Sequence, residues 1–515
     1  MKKSLLLLSV ALVVFSCKTE ATKEDVVNYA KTITEDELKE HLYTYASDEF
    51  EGRDTGEPGQ KKAIAYLKKE YETLKINSLI DGNYFQTVPL SVSKTPEVSI
   101  TVNGKSFKYF DDFISLTSAA SGNISASEVV YAGYGIDDDK YSDYKNLDVK
   151  GKIVVVKTGE PKDSKGNSKI NEGKKSSKWG NGQALTAKRN AAKANGAKAL
   201  FFMDDALFGR YSAFFKRREA NGGSKSLSLP SKSDGKAEIY HFIINEKMGK
   251  SLVKNITKST KTAKVASKVE MSFKSISESH PSENVAAWIK GSEKPEEYII
   301  ISAHLDHVGV NAKGEIFNGA DDDGSGTVSL LEIAEAFKTA ADNGHGPKRS
   351  VIFLHVTGEE KGLLGSRYYT DYEPLVPLAN TVANLNIDMV GRIDPKRKGD
   401  RNYIYLIGAD KLSSDLHNIS EEVNKEFTNV ELDYTYNDEN DPNRFYYRSD
   451  HYNFAKNNIP IIFYFNGTHA DYHKASDTPD KINYDLLENR SRLVFHTAWE
   501  LANRAERIVV DKATE

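Results

Sequence analysis

His304, Asp322, Glu360, Asp388 and a further histidine, His469 or His473, are far apart in the chain, yet most of them follow short apolar runs. Two histidines and three carboxylates are a donor set able to hold two divalent cations a few ångströms apart, with one carboxylate shared. Glu359 stands directly before Glu360 and supplies a spare carboxylate, the usual means of activating a water beside such a pair. The chemistry these residue types permit is metal-assisted hydrolysis.

Each candidate also has a plainer reading. The apolar run Tyr298–Ala303 delivers His304, and Asp306 two residues on could fix its ring tautomer through the other nitrogen. If strand alternation continues, His304 and Asp306 share a face and His307 takes the opposite one, which favours His304 as the ligand. Asp321, Asp322 and Asp323 precede an apolar helical segment and alone would suit a solvated helix N-terminus. Three adjacent acids repel one another, however, and a cation would relieve this; the middle one, Asp322, is the expected bridge. Glu359-Glu360 end the run Ser350–Thr357, and side chains of neighbours diverge, so one can bind metal while the other faces a water. Asp388 closes another apolar run, where a buried acid is costly unless paired or coordinated. His469 and His473 both qualify by type, and the residues alone do not choose between them.

The elements that must position these groups are strands alternating with helices. From Asn284 onward, continuous apolar strands at 285–289, 298–303, 350–356, 382–387, 403–407 and 459–464 are separated by helical segments. This predicts an α/β fold, a mostly parallel mixed sheet sandwiched by helices, with ligands beyond the strand C-termini. Residues 31–114, with amphipathic helices at about 34–47 and 60–74, form an N-terminal part of the same domain. A change of character near 115 marks an inserted, smaller α/β module at 115–275, which carries no plausible metal cluster. The catalytic part is expected at 280–510.

At 515 residues the chain is long enough for two or three domains, and its net charge of -4 gives no sign of nucleic-acid binding. Residues 1–17 read as an export signal: a basic start, the apolar run Leu5–Phe15, and Cys17 where a bacterial lipoprotein carries its lipid. Cys17 is the only cysteine, so no internal disulfide is possible. Residues 18–30 read as a polar tether. The expectation is an exported lipoprotein of the cell envelope, or a secreted protein, touching the membrane only through a lipid anchor at Cys17.

The ordered motifs His304-Leu-Asp306, Gly319-Ala-Asp-Asp-Asp-Gly-Ser-Gly326, Glu359-Glu360, Asn386-Ile-Asp388 and Tyr472-His473 resemble those of the di-zinc exopeptidases. That family includes secreted bacterial leucyl aminopeptidases, glutamate carboxypeptidase II and the transferrin receptor. The resemblance covers roughly 280–510 and the helical region 33–90. It implies a zinc aminopeptidase (phosphorylase/hydrolase-like) fold and two Zn2+ per chain. His304 and Asp388 would hold one ion, Glu360 and His473 the other, and Asp322 would bridge. It also implies Glu359 as general base, Asp306 as the carboxylate behind the ligands and Tyr472 as a donor to the oxyanion. The inserted module, with Tyr131-Ala-Gly-Tyr-Gly135, is similar to a protease-associated (PA) domain. The implied activity is an aminopeptidase acting on peptides. The alternatives are a carboxypeptidase of the glutamate carboxypeptidase type, with Arg392, Arg444 or Arg448 anchoring a terminal carboxylate, a one-zinc glutaminyl cyclase, and a receptor that has lost its ligands.

Overall fold

The apolar runs of the C-terminal half form the centre of a nine-stranded mixed sheet. Four neighbours, in the order Arg349–Val356, Lys294–His304, Thr381–Ile387 and Ile461–Phe465, run parallel. Antiparallel strands Ser282–Ile289 and Tyr403–Ile407 flank them. A computed structural model of the chain describes residues 20–80, 82–117, 119–220, 226–230 and 238–512. The expectation for Cys17 and its export signal falls outside the described residues. Among those described, no helix is long and apolar enough to cross a membrane.

Both faces of the sheet are covered, which explains why its strands read as unbroken apolar runs. Ile299, Ile301 and Ala303 join one core with Val328, Leu331 and Phe337 of the helix Gly326–Asp342. Ile300, Ile352 and Leu354 join another with Tyr369 and Phe454. Each fully buried aliphatic or aromatic side chain contributes about 1.5–3 kcal/mol.

The chain divides into two compact units, residues 1–89 with 281–515, and residues 90–280. The inserted unit therefore begins at Leu90 and not at 115. The reason is the strand Ser91–Val102, which pairs along its length with Ala263–Ser279 inside the insertion. Its own nine-stranded sheet has the parallel centre Gly122–Tyr131, Ile153–Lys157, Ala199–Met203 and Tyr240–Ile244.

The tether reading of residues 18–30 is also corrected. Lys23–Ala30 is a helix, opened by a reciprocal cap between Thr22 and Asp25. Val26, Tyr29 and Ala30 are buried in the main core, and the Tyr29 hydroxyl lies 2.7 Å from His345 Nδ1. Three apolar groups spaced along one face were hidden among charged neighbours.

Candidate metal centre

Four of the five proposed ligands leave the C-terminal ends of four adjacent parallel strands. His304 is the last residue of Lys294–His304, Glu360 follows Arg349–Val356, Asp388 follows Thr381–Ile387, and His473 lies on the loop beyond Ile461–Phe465. Met389 (φ 58°) and His473 (φ 53°) adopt left-handed backbone conformations, a local cost of about 1–2 kcal/mol each. The turn after Asp388 is braced by Arg490, which donates to the carbonyls of Val390 (2.7 Å) and Arg392 (2.8 Å). The fifth, Asp322, comes from the irregular turn Ala320–Ser325 ahead of Gly326–Asp342.

These side chains converge. His304 Nε2 is 3.2 Å from Asp322 Oδ1 and 3.7 Å from Asp388 Oδ1. His473 Nε2 is 3.0 Å from Asp322 Oδ2 and 3.1 Å from Glu360 Oε1. Asp322 thus presents one oxygen to each half of the cluster, as a bridging carboxylate must. Ser449 Oγ donates to Asp388 Oδ2 at 2.6 Å and leaves Oδ1 for the cluster. Asp477 Oδ2 accepts from the backbone N–H groups of Asp321 (3.0 Å) and Asp322 (3.2 Å), which fixes the turn that carries the bridge.

The protein's own hydrogen bonds do not complete this cluster. His304 Nε2, Asp322 Oδ2 and Glu360 Oε1 are buried with no hydrogen-bond partner. Leaving such a group unpaired costs about 1–3 kcal/mol, and more when it is charged. Cations placed among these atoms would remove that cost, so the residues fit a metal site of nitrogen and carboxylate donors. Asp323 also brings an oxygen within 4.8 Å of His304 and Asp388. Its carboxylate is already occupied, however, by the N–H groups of His304, Gly326 and Met389. It serves the backbone, and Asp322 is the free donor of the triplet.

The strand-alternation argument against His307 fails. The strand ends at His304, the chain turns, and His307 Nδ1 lies 2.9 Å from Glu360 Oε1 and 3.8 Å from Asp322 Oδ2. His469 instead faces the first aspartate, with Nε2 3.1 Å from Asp321 Oδ2. Asp306 differs in detail from its expected role. The Nδ1 of His304 is 3.0 Å from the Asp306 carbonyl oxygen and 3.9 Å from its carboxylate. That carboxylate accepts from the N–H of Glu359 (3.1 Å) and from Thr55 Oγ1 (2.5 Å).

Electrostatics follow from crowding. Burial, with Glu360 and Asp388 nearby, pushes the Glu359 carboxyl well above its ordinary range. Burial acts the same way on Asp322 and Glu360, but imidazole contacts outweigh it: Asp322 is held well below its usual range by His304 and His473, and Glu360 is lowered to about 2 by His307 and His473. His473, despite burial, is raised to about 10 by Asp322 and Glu360. Glu359, Asp322, Asp388 and Tyr472 line one narrow cleft of about 30 Å3, together with Phe445 and Arg448. The Tyr472 ring stacks on His473 at 4.0 Å, and burial among acids keeps its phenol protonated. Thr55, Ser449 and Asp477 escaped the sequence reading. They are neutral or lone polar residues, and nothing in their local pattern marks them.

Residues 284–498 match the profile of Peptidase family M28. A probable leucine aminopeptidase 2 of Aspergillus oryzae is 25% identical over 505 residues, covering 91% of this chain and 82% of that protein. A probable glutamate carboxypeptidase of Arabidopsis thaliana is 35% identical over 106 residues, 21% of this chain, and the match spans only 14% of that protein's length. Among solved structures, an aminopeptidase from Aneurinibacillus sp. strain AM-1 aligns over 95% of this chain and 98% of its own, at 19% identity and a TM-score of 0.46.

Proposed function

We propose, for a chain whose residues 284–498 match the profile of Peptidase family M28, that the converging side chains form the active site of a zinc-dependent metallo-aminopeptidase. The observation that carries this reading is that buried, unpartnered atoms of His304, Asp322 and Glu360 meet the side chains of Asp388 and His473. His304 and Asp388 would hold one zinc ion, Glu360 and His473 the other, with Asp322 placed between the two pairs. Bound there, zinc would supply a Lewis acid and a more acidic water.

The chain's own residues do the rest. Glu359, alone among the acids of the cleft, is spared from both donor groups, and its backbone is fixed by Asp306. Its carboxylate takes the proton of the attacking water and passes it to the leaving amine. Tyr472, protonated and beside His473, donates to the oxygen of the tetrahedral adduct. His304 is fixed for its task by the Asp306 carbonyl on Nδ1, which leaves Nε2 for the ligand role.

An anchor for a terminal carboxylate needs an available cation. Arg392 is engaged with Asp471 at 2.9 Å, and Arg444 stacks on Tyr447. Arg448 is the arginine that lines the cleft, and the carboxypeptidase reading rests on it alone. The reading further includes export with a lipid on Cys17, supported by the sequence of residues 1–17, and a PA-type role for residues 90–280 outside catalysis.

Purified protein lacking residues 1–17 tests the proposal with leucyl-anilide, its N-acetyl derivative and C-terminally free peptides. Zinc-dependent release of free N-terminal residues, abolished by N-acetylation, is expected. Cleavage that ignores the amine but requires a free C-terminus would select the carboxypeptidase, and no hydrolysis by zinc-loaded protein would refute both.

A further inference from the structure

The loop Gly52-Arg53-Asp54-Thr55, from the N-terminal segment of the catalytic unit, touches three of the loops that carry the site. Arg53 is 1% exposed and donates to the carbonyls of Asn318 (2.7 Å) and Gly319 (2.9 Å), just ahead of the aspartate triplet. Its own carbonyl accepts from His307 N at 3.1 Å. Asp54 pairs with Lys361 at 2.6 Å, immediately after Glu359-Glu360. Thr55, also 1% exposed, donates to Asp306 Oδ2 at 2.5 Å. The fit is close: a Cβ on Gly52, whose φ is +62°, would come within 2.5 Å of the Phe317 carbonyl oxygen.

One chain of contacts within this clamp leads to the base. Thr55 Oγ1 holds one oxygen of the Asp306 carboxylate, and the other oxygen accepts the backbone N–H of Glu359 at 3.1 Å. Asp306 is fully buried, so its carboxylate has no water to take the place of a lost donor. We propose that Thr55 is a positioning residue for Glu359, setting through Asp306 the placement of the carboxylate that moves the proton. This inference rests on Glu359 being the base of the proposed reaction. The hydroxyl is the active group of Thr55; its methyl lies against Gly358 and serves packing.

The test is a set of variants on the full-length zinc-loaded protein. Thr55→Val keeps the shape and the methyl but removes the hydroxyl, whereas Thr55→Ser keeps the hydroxyl. Loss of a partner behind the reacting groups typically costs 10–100-fold. We expect Thr55→Val to lower kcat about 10-fold or more, with KM and zinc content within twofold of wild type, and Thr55→Ser to retain most of kcat. In a Glu359→Gln background, Thr55→Val should cost nothing further, because the residue it positions no longer acts. Normal kcat in Thr55→Val, equal losses in both Thr55 variants, loss of zinc, or a full additional loss in the double variant would each overturn the inference. If Thr55→Val does not fold, by its thermal transition, Thr55→Ser against Thr55→Ala decides by the same readouts. A wild-type protein without hydrolytic activity would sink the functional reading and this inference with it; an active wild type with an indifferent Thr55 sinks only the inference.

Discussion

Two regions of this protein bury charged groups, and they do so in opposite ways. In the inserted unit the buried side chain of Glu160 is surrounded by donors: the hydroxyls of Ser168, Ser176 and Ser177 and the N–H of Ser177. Burial alone would raise its carboxyl, but the Ser177 and Ser168 contacts outweigh it and hold it at about 2. Lys188 in the same unit donates to the carbonyls of Lys157 and Gly159, although burial lowers it to about 7. In the catalytic unit Asp322, Glu360 and His304 come together with atoms left unpaired. A satisfied buried charge is architecture. Converging buried donors that the fold leaves unsatisfied mark a place for a ligand the chain does not itself supply.

The contrast can be broken by substitution. Glu359→Gln should lower kcat by about 10³-fold, within the range of general-base catalysis, and leave zinc content intact. Activity near wild type in that variant removes Glu359 from its role, and loss of zinc makes it a ligand. Ser449→Ala should be milder. It frees Asp388 Oδ2 and is expected to weaken zinc binding about 10-fold, read by competition with a chromophoric chelator.

Protons sharpen the contrast further. In the metal-free chain the acids around them hold His304 well above its ordinary range and His473 at about 10, against the opposing effect of burial. His473, at about 10, carries a proton at neutral pH, and a cation must displace it. Zinc affinity should therefore rise between pH 6 and 8 by about tenfold per pH unit for each proton released. The stabilising effect of protonated His473 on the metal-free protein is complete below about pH 6.5 and fades as pH rises towards 10. An affinity that does not change over this range would mean that the histidines are not the ligands.

The smallest effect on catalysis is expected at Glu160. Glu160→Gln should destabilise the protein by about 1–3 kcal/mol, because a charged acceptor of several hydrogen bonds is replaced, with kcat unchanged within twofold. The stability this carboxylate provides is present above about pH 4.5 and lost as pH falls towards 2. Chemical denaturation beside steady-state kinetics separates the two regions: a large loss of kcat in Glu160→Gln would contradict the division.

Much of this was legible in the residues, for physical reasons. The strand cores read as apolar runs because the sheet is covered on both faces, so Tyr403–Ile407 is recovered to the residue. The proposed ligands stand out because an acid or histidine closing such a run has few structural uses. His307 also reaches the cluster, because strand periodicity stops where the strand stops, at His304. Ser91–Val102 was assigned to the wrong side of the domain boundary because its partner, Ala263–Ser279, is distant in sequence and pairing across that distance leaves no local signal. Thr55, Ser449 and Asp477 were illegible because their roles depend only on what they touch.

The most direct measurement is anomalous diffraction at the zinc edge from crystals of the zinc-loaded protein. The account predicts two peaks per chain, one between His304 and Asp388, the other between Glu360 and His473, with Asp322 reaching both. A single peak, or one coordinated by His307, His469 or Asp321 in place of these residues, would contradict it.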